Sequence, residues 1–401
     1  MKYIVLLGDG MADCPVPALG GRTPLEAANK PNMDYIAQNG DMGLVKTIPD
    51  GMPPGSDVAN LSVFGYEPDI YYSGRSPFEA ASMGISMSDT DIALRCNLVT
   101  LSSEEPYEEK TMVDYCSGEI STEEARELIE AISAELNSEL FSFYPGISYR
   151  HCLIWKDGKD GVSFTPPHDI SGKKIASFLP KGEKNDIFIT LMKKSEKILK
   201  NHPINQMRIK NGLNPATSIW LWGQGKKPKL KQFAEKYNLI GSVISAVDLV
   251  RGIGILAGLK PVYVDGATGN LHTNYTGKAK AALNELENGS DFVYIHVEAP
   301  DECGHQGLVE GKVQSIEKID SELLAPLLDG LTKWDYSILL LPDHPTPIST
   351  RTHSCEPVPF AIYRNTGGMR SNNTLRFTEK DAASTGVFIE HGHTLIDRFL
   401  I

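Results

Sequence analysis

The sequence predicts an α/β protein whose core is a doubly wound sheet with polar side chains at the ends of its strands. Three apolar runs that are typical of buried strands occupy residues 2–7, 292–297 and 337–341. Each run is followed within a few residues by aspartate or histidine. Ligands of open parallel sheets bind outside the carboxyl ends of the strands, so we expect the functional site at these three junctions.

The chain is long enough for two domains, and one is expected to interrupt the other. A length of 401 residues exceeds what one simple core usually holds. After about residue 73 the sequence changes to short alternating segments, polar loops and Lys-rich helices, and near residue 240 strands and helices alternate again. We therefore expect residues 1–72 and 240–401 to form the core and residues 73–239 to form a smaller inserted α+β domain.

The elements of the core follow from local signals. Strand 2–7 precedes a helix that ends near residue 39, and residues 43–48 have the apolar character of a second strand. Ser56 stands where a helix N-cap is expected, before an apolar helical pattern that Gly65 ends.

The insert is expected to contain at least two helices. Ser121 and the acidic residues after it match the preferences for an N-cap and a first helical turn. A second helix is expected over residues 187–199, and a buried pattern returns at residues 242–250.

Composition argues against several kinds of partner. The net charge of −12 disfavours a nucleic-acid or membrane-surface partner, either of which would want a basic patch. No apolar run approaches the ~20 residues that a membrane-spanning helix needs. The six cysteines lack a C-x-x-C pair, which favours reduced thiols. Because a strand begins almost at the N-terminus, we expect no signal peptide and a cytoplasmic enzyme.

Carboxylates and imidazoles near the strand ends predict a metal centre. Asp301 and His305 are four residues apart, which puts both on one face of a helix. Asp343 and His344 lie among prolines that exclude a regular helix, so they project from a rigid loop. Asp and His together suit Zn, Mn or Co better than Ca. The candidate ligands are Asp9, Asp301, His305, Asp343, His344 and His353.

Two interpretations of Ser56 stay open from its position. As an N-cap, its side chain would accept a hydrogen bond from the first turn of the helix. As a nucleophile, it would use the free N–H groups and the dipole of the helix N-terminus to stabilise a phosphoryl group. A serine hydroxyl is a poor nucleophile unless a metal or a base activates it, and the predicted metal centre would do so.

Motifs around these residues carry a family resemblance that runs nearly end to end. They are Asp9, Gly55-Ser56-Asp57, Ala299-Pro-Asp-Glu-Cys-Gly-His305, Pro342-Asp-His-Pro-Thr346 and Arg351-Thr-His353, with segments 20–29, 61–68, 74–80, 265–269 and 353–359. In them the chain resembles the metalloenzyme branch of the alkaline phosphatase superfamily. More closely, it resembles the cofactor-independent (2,3-bisphosphoglycerate-independent) phosphoglycerate mutases of the archaeal type, which implies an alkaline-phosphatase-like core.

The resemblance also implies a reaction and its cofactors. The family interconverts 3-phosphoglycerate and 2-phosphoglycerate, in glycolysis and gluconeogenesis, through a phosphoserine and without 2,3-bisphosphoglycerate. We expect two divalent ions, with Mn as the first choice and Zn, Co or Mg as alternatives. A pair of ions can activate a nucleophile and stabilise the attacking and leaving oxygens. The implied ligands are Asp9, Ser56, Asp343 and His344 for one ion, and Asp301, His305 and His353 for the other.

A small phosphorylated carboxylate requires cationic donors, and arginine is the most suitable. In the related mutases the insert closes as a lid and supplies arginines, a histidine and an acid/base carboxylate. Arg95 stands inside an otherwise apolar strand, where an unpaired charge is costly to bury. The candidates for binding substrate are Arg95, Asn97, Arg150 and His151, and those for catalysis beside Ser56 are His168, Asp169 and Lys278.

Other functions stay open on the sequence alone. Segments 166–173 and 219–226 look like a subgroup of these mutase-like proteins that has been proposed to be homoserine kinases, although no nucleotide motif is present. A metal-dependent phosphomonoesterase would share the metal site without needing the substrate ligands of the insert. A sulfatase is excluded, because the residues after Ser56 lack the Pro and Arg that it requires. A metal-storing protein would not need a serine there. The oligomeric state is left open, homo-oligomers included.

Overall fold

The computed structural model describes residues 1–366 and 374–401. Two compact units make up this part of the chain. The first unit consists of Met1–Tyr72 and Lys229–Ile401, and the second consists of Ser73–Pro228. The second junction in the chain therefore comes before the short helix Phe233–Tyr237, whereas the sequence analysis put it after this helix.

The described residues form short and medium strands. In chain order these are β1 (Lys2–Gly8), β2 (Asp41–Val45), β3 (Ile92–Leu101), β4 (Met112–Asp114), β5 (Phe141–Ile147), β6 (Arg150–Trp155), β7 (Val162–Ser163), β8 (Lys181–Gly182), β9 (Ser218–Lys226), β10 (Gly241–Ile244), β11 (Lys260–Val262), β12 (Phe292–Val297), β13 (Tyr336–Leu341), β14 (Val358–Arg364) and β15 (Phe388–Ile389).

The same residues form helices of four to sixteen residues. They are α1 (Pro24–Ala27), α2 (Pro31–Asn39), α3 (Ser56–Val63), α4 (Pro68–Tyr71), α5 (Ser76–Ser82), α6 (Thr122–Leu136), α7 (Asn185–Lys200), α8 (Pro203–Lys210), α9 (Phe233–Tyr237), α10 (Asp248–Leu256), α11 (Tyr275–Glu287), α12 (Ala299–Gln306), α13 (Val309–Lys318), α14 (Ala325–Leu331), α15 (Glu379–Ser384) and α16 (Leu395–Phe399). A π-helical turn, Ile319–Leu324, joins α13 to α14. None of the described helices could span a membrane.

The first unit is built on one eight-stranded sheet with the order β11-β10-β12-β1-β13-β14-β2-β15. Among these described strands only β14 runs against the others, because it pairs antiparallel with both β13 and β2. Ile4 and Leu6 of β1 join the core that packs on α2, α11 and α14, while Val5 and Leu7 are buried on the opposite face. A sheet that is covered on both faces is typical of doubly wound α/β proteins.

Three strands of this sheet end side by side. β1 pairs in parallel with β12 and with β13, so that Leu7 lies opposite His296 on one side and Leu341 on the other. The residues that follow these strands therefore emerge at one edge, and the three strands predicted from the apolar runs are confirmed.

The second unit is built on a separate antiparallel sheet with the order β4-β3-β6-β5, in which β9 also pairs with β3. Helices α6 and α7 cover one face, and their apolar residues pack against Leu94, Cys96 and Leu98. Both helices predicted for the insert are confirmed, and the Ser121 side chain accepts a hydrogen bond from the Glu124 N–H as an N-cap should.

Candidate metal centre

Four of the predicted ligands meet beside the start of α3. The His344 Nε2 atom lies 3.5 Å from Asp9 Oδ1 and 3.5 Å from Asp343 Oδ2. The Ser56 hydroxyl lies 3.1 Å from the same nitrogen. We call Asp9, Ser56, Asp343 and His344 the serine group. Its aspartates and its histidine are at most 2% exposed, so any charge they hold is out of contact with water.

Ser56 does not cap the helix, and this interpretation of its position was wrong. The N-cap is Gly55, and Ser56 is the first residue of α3. No side-chain capping bond is made at this end of the helix. The hydroxyl is turned toward His344 instead, so it is available for chemistry at the helix N-terminus.

The other three predicted ligands form a second group at the adjacent strand end. The Asp301 carboxylate lies 3.3 Å from His305 Nε2 and 3.4 Å from His353 Nε2. The two histidine nitrogens are 2.9 Å apart. Asp301 and His305 stand on α12, on one face of a single turn as expected. We call these three residues the histidine group.

His344 lies within reach of both groups. One possible ligand atom from each of Asp301, His344 and His353 lies within 4.8 Å of the other two. The same holds for Asp9, His296 and Asp343. The shorter distances, none above 3.5 Å, join His344 to Asp9, Asp343 and Ser56. The assignment of His344 to the serine group rests on those distances.

The charges of the serine group fit a divalent cation. Burial, together with the carboxylates of Asp343 and Asp301, raises the pKa of Asp9 well above its usual value. Asp9 Oδ1 is buried without a hydrogen-bond partner among the described residues. Like charges at a buried place repel one another, and a cation bound to that oxygen would offset the repulsion. Imidazole nitrogens beside carboxylates are ligands that Zn, Mn and Co accept.

The histidine group has the opposite electrostatic character. Burial opposes the ionisation of Asp301, but hydrogen bonds with His305 and His353 hold the pKa of this carboxyl well below its usual value. The bond to Asp301 in turn raises the pKa of His305 to about 9. In the serine group, by contrast, burial lowers the pKa of His344.

Three supporting residues were missed from the sequence. The His296 Nε2 atom lies 2.9 Å from Asp9 Oδ2, and its Nδ1 atom lies 3.1 Å from the Ser245 hydroxyl. The Thr346 hydroxyl donates to Asp301 Oδ1. The Asn60 amide donates to Asp343 Oδ2 at 2.9 Å. Of the three, only Asn60 has a local signal, since it stands four residues after Ser56 on the same helical face.

Gly10 also supports the centre through its backbone. Its N–H donates to Asp343 Oδ1 at 3.1 Å, and its φ of +62° lies in the left-handed region. A Cβ at this position would come within 2.8 Å of Asp301 Oδ1. Glycine is therefore required both for the turn and for the close approach of the backbone.

Lys278 belongs to α11, and its side chain reaches the end of β12 near this centre. Its ammonium group is fully buried and donates to the His296 carbonyl oxygen at 2.8 Å. Burial lowers the pKa of Lys278 to about 8.

In the second unit, several predicted residues gather around Trp222. The Arg95 guanidinium carbon lies 4.8 Å from the centre of the Trp222 ring, and the His168 ring lies 5.2 Å from it. The indole N–H donates to Asn97 Oδ1 at 3.0 Å. Arg95 also forms an ion pair with Glu79 at 2.9 Å. We call Arg95, Asn97, His168 and Trp222 the tryptophan cluster.

The remaining candidates of this unit are separated by the pleat of the sheet. Arg150 lies opposite Asn97 and therefore on the face of the tryptophan cluster. His151 lies opposite Cys96, so its side chain is on the other face, where it is 3% exposed. The structure thus does not bring His151 together with the other candidates. Asp169 is exposed beside His168, with 3.7 Å between carboxylate and ring.

Comparisons with known proteins agree with these observations. The family model of 2,3-bisphosphoglycerate-independent phosphoglycerate mutase matches residues 37–205. The 2,3-bisphosphoglycerate-independent phosphoglycerate mutase of Methanosarcina barkeri is 54% identical over 95% of each chain. A probable 2,3-bisphosphoglycerate-independent phosphoglycerate mutase of Geobacter sulfurreducens is 51% identical over 100% of each chain.

Two solved structures are similar over the whole chain. PH0037 protein from Pyrococcus horikoshii superposes with a TM-score of 0.84 at 31% identity, covering 100% of this chain and 96% of that one. Cofactor-independent phosphoglycerate mutase from Thermoplasma acidophilum superposes with a TM-score of 0.66 at 25% identity, covering 100% and 99%. The predicted α/β fold class is confirmed.

The fold and the two ligand groups define an α/β enzyme with a candidate centre for divalent metal ions. The chain belongs to the 2,3-bisphosphoglycerate-independent phosphoglycerate mutase family. The resemblance stated from the motifs is therefore confirmed, and the names of the relatives favour a mutase over a homoserine kinase or a phosphomonoesterase.

Proposed function

We propose that this chain interconverts 3-phosphoglycerate and 2-phosphoglycerate, without 2,3-bisphosphoglycerate, through a phosphoserine at Ser56. One observation carries the mechanism. The Ser56 hydroxyl stands at the N-terminus of α3, 3.1 Å from His344 and within the serine group. The free N–H groups of a helix N-terminus favour a bound phosphoryl group, and membership in the family supports the substrate.

Both ligand groups are proposed to hold one divalent ion each. Asp9, Ser56, Asp343 and His344 would bind the first, and Asp301, His305 and His353 the second. Mn is proposed, with Zn, Co and Mg as alternatives, because the donors are carboxylate oxygens and imidazole nitrogens. When bound, such ions supply charge stabilisation for the oxygens of a transferring phosphoryl group.

The proposed reaction consists of two phosphoryl transfers, the first to Ser56 and the second from it. In the first, the Ser56 oxygen forms a bond to phosphorus, the bond from phosphorus to the C3 oxygen breaks, and the serine proton ends on that oxygen. In the second, the C2 hydroxyl takes the phosphoryl group from Ser56 and gives its proton back. His168 or Asp169 is proposed to carry the proton. Partial burial lowers the pKa of His168, so its ring is free to accept a proton at neutral pH.

Residues of the second unit are proposed to bind the glycerate. Arg95 is held over Trp222 and stays cationic at neutral pH, although burial lowers its pKa to about 10. With Arg150 it would bind the carboxylate, and Asn97 would support it. Lys278 of the first unit would bind the phosphoryl group, since its ammonium lies at the end of β12. A cytoplasmic location is proposed with the reaction.

A turnover assay tests the assignment. The protein is stripped with a chelator, reloaded with Mn, and given 3-phosphoglycerate without bisphosphoglycerate, with 2-phosphoglycerate measured over time. Parallel arms contain homoserine with ATP, and a simple aryl phosphate. Formation of 2-phosphoglycerate that depends on Mn is expected. Phosphohomoserine without 2-phosphoglycerate would instead identify a kinase, and release of phosphate alone would identify a phosphomonoesterase.

A further inference from the structure

We infer that Asn60 is a positioning residue that ties the nucleophile helix to Asp343 and so holds this carboxylate for the metal. The inference rests on the proposed function, because it takes Asp343 to be a ligand. Asn60 stands on α3, one turn after Ser56, and its side chain is fully buried. Its amide N–H groups donate to the Ser56 carbonyl oxygen at 2.9 Å and to Asp343 Oδ2 at 2.9 Å.

The orientation of the Asn60 amide is fixed by its partners. A carbonyl and an ionised carboxylate only accept, so the NH₂ group must face Ser56 and Asp343. The amide oxygen then faces the Tyr294 hydroxyl, which donates to it at 2.7 Å. Both donors and the acceptor of the amide are used, and an inverted amide would leave buried groups unpaired, which is costly.

Tyr294 is itself held in place. Its ring stacks on Phe64, with ring centres 4.0 Å apart and planes at 14° to each other. Phe64 is the C-cap of α3, and Tyr294 belongs to β12. Tyr294 therefore contacts α3 both in its middle, through Asn60, and at its end, through Phe64.

The hydrogen bond from Asn60 orients one carboxylate oxygen of Asp343. Oδ1 accepts hydrogen bonds from the Gly10 N–H at 3.1 Å and the His344 N–H at 2.9 Å. Oδ2, which receives the Asn60 bond, is the oxygen that lies 3.5 Å from His344 Nε2. Asn60 thus orients the ligand oxygen that faces the serine group and leaves its other lone pair for a cation. Hydrogen bonds of this kind hold ligating carboxylates in position, and their loss typically lowers metal affinity about 10–100-fold.

The test compares Asn60→Leu with a matched control. Leucine keeps the branching at Cγ and the number of side-chain heavy atoms, and it removes the three hydrogen bonds of the amide. Asn205 is 2% exposed, and its amide also donates twice, to the Leu199 and Ala216 carbonyls, and accepts once, from the Ala216 N–H. Asn205→Leu therefore removes an equivalent set of bonds in the second unit. Mn²⁺ dissociation constants and stoichiometry are measured on chelator-treated protein by electron paramagnetic resonance.

Asn60→Leu is expected to weaken binding of one of two Mn²⁺ ions by about 10-fold or more and to lower kcat, while Asn205→Leu leaves both unchanged. Tyr294→Phe keeps the bonds to Ser56 and Asp343, so a smaller change in the same direction is expected. It also serves as the test if Asn60→Leu does not fold. Wild-type affinity in a folded Asn60→Leu, or in Tyr294→Phe where Asn60→Leu does not fold, overturns this inference alone. A wild-type protein that binds no divalent ion overturns the proposed function, and this inference with it.

Discussion

The buried metal-ligand candidates of the first unit differ in exposure from Arg150 and His168 of the second unit. In the first unit, Asp9, Asp343 and His344 are almost inaccessible to water and follow directly after parallel strands. In the second, Arg150 and His168 are exposed on or beside an antiparallel sheet. Metal ligands must converge within a few ångströms and lose their water, whereas the exposed Arg150 and His168 stay reachable for a passing substrate. Substitution of the metal-ligand candidates in the first unit should therefore abolish turnover, whereas substitution of the substrate-binding candidates in the second unit should only reduce it.

Replacement of the nucleophile gives the largest expected effect. Ser56→Ala removes the group that would carry the phosphoryl, so we expect kcat to fall by at least about 10³-fold. Intact-mass measurement after mixing with 3-phosphoglycerate should detect one added phosphoryl group in the wild type and none in the variant. The matched control is Ser62→Ala on the same helix, whose buried hydroxyl donates to the Thr47 carbonyl. Activity in Ser56→Ala equal to that of Ser62→Ala would remove the covalent mechanism.

Loss of a carboxylate from the histidine group should abolish one metal site and leave the fold intact. Asp301→Asn removes both a charged ligand and the partner that holds His305 and His353. We expect bound Mn to fall from two ions to one per chain, measured by elemental analysis, with a fall of about 10²-fold or more in kcat. Asp320→Asn is the control, because Asp320 is also buried but accepts from the Met33 N–H at the start of α2. Retention of both ions by Asp301→Asn would contradict the ligand assignment.

Arg95→Ala should reduce mutase activity without abolishing it, which distinguishes the role of the second unit from that of the first. The variant keeps the serine group and the histidine group, so the first transfer remains feasible. We expect mutase activity to fall by about 10–100-fold, with a larger KM and a larger share of product released as free phosphate. Inorganic phosphate and 2-phosphoglycerate are measured in the same reaction. Arg126→Ala, on the exposed face of α6, is the control. An unchanged ratio of hydrolysis to transfer would count against a role for Arg95 in retaining substrate.

The residues that sequence reasoning found are those with a local rule behind them. The spacing of four between Asp301 and His305 predicts one helical face, and prolines around Asp343 and His344 predict a loop. Apolar runs before Asp9 and Asp343 predict strand ends. These signals place ligands on elements without any knowledge of how the elements meet.

The residues that sequence reasoning missed depend on tertiary pairing. His296 looks like one more residue of a buried strand until β12 is placed beside β1, where its ring meets Asp9. The grouping of His151 with Arg150 failed for the same reason, since only the pairing of β6 with β3 shows which face each residue occupies. Of the two interpretations of Ser56, the N-cap was wrong, because residue type alone does not reveal where the hydroxyl turns.

The smallest expected effect concerns His151, which lies on the covered face of the sheet in the second unit. Its Nδ1 accepts a hydrogen bond from the Gly146 N–H at 3.0 Å, and burial lowers the pKa of this imidazole to about 3. The folded protein therefore keeps His151 neutral, while the unfolded chain binds a proton below a pKa of about 6.5. Stability is lost as the pH falls through the window between about 6.5 and about 3, because only the unfolded state gains the proton.

Between about pH 7 and about pH 5, this one group should lower the free energy of unfolding by about 2 kcal/mol. His151→Gln offers the Gly146 N–H an acceptor without titrating, so its loss over the same interval should be smaller by that amount. Three of the four tryptophans belong to the second unit, and urea unfolding followed by their fluorescence reports on it. His272→Gln, at an exposed position, is the control and should match the wild type. If His151→Gln loses as much stability as the wild type between these two pH values, His151 is not the acid-sensitive group. The inference that folding keeps this imidazole buried and neutral is then wrong.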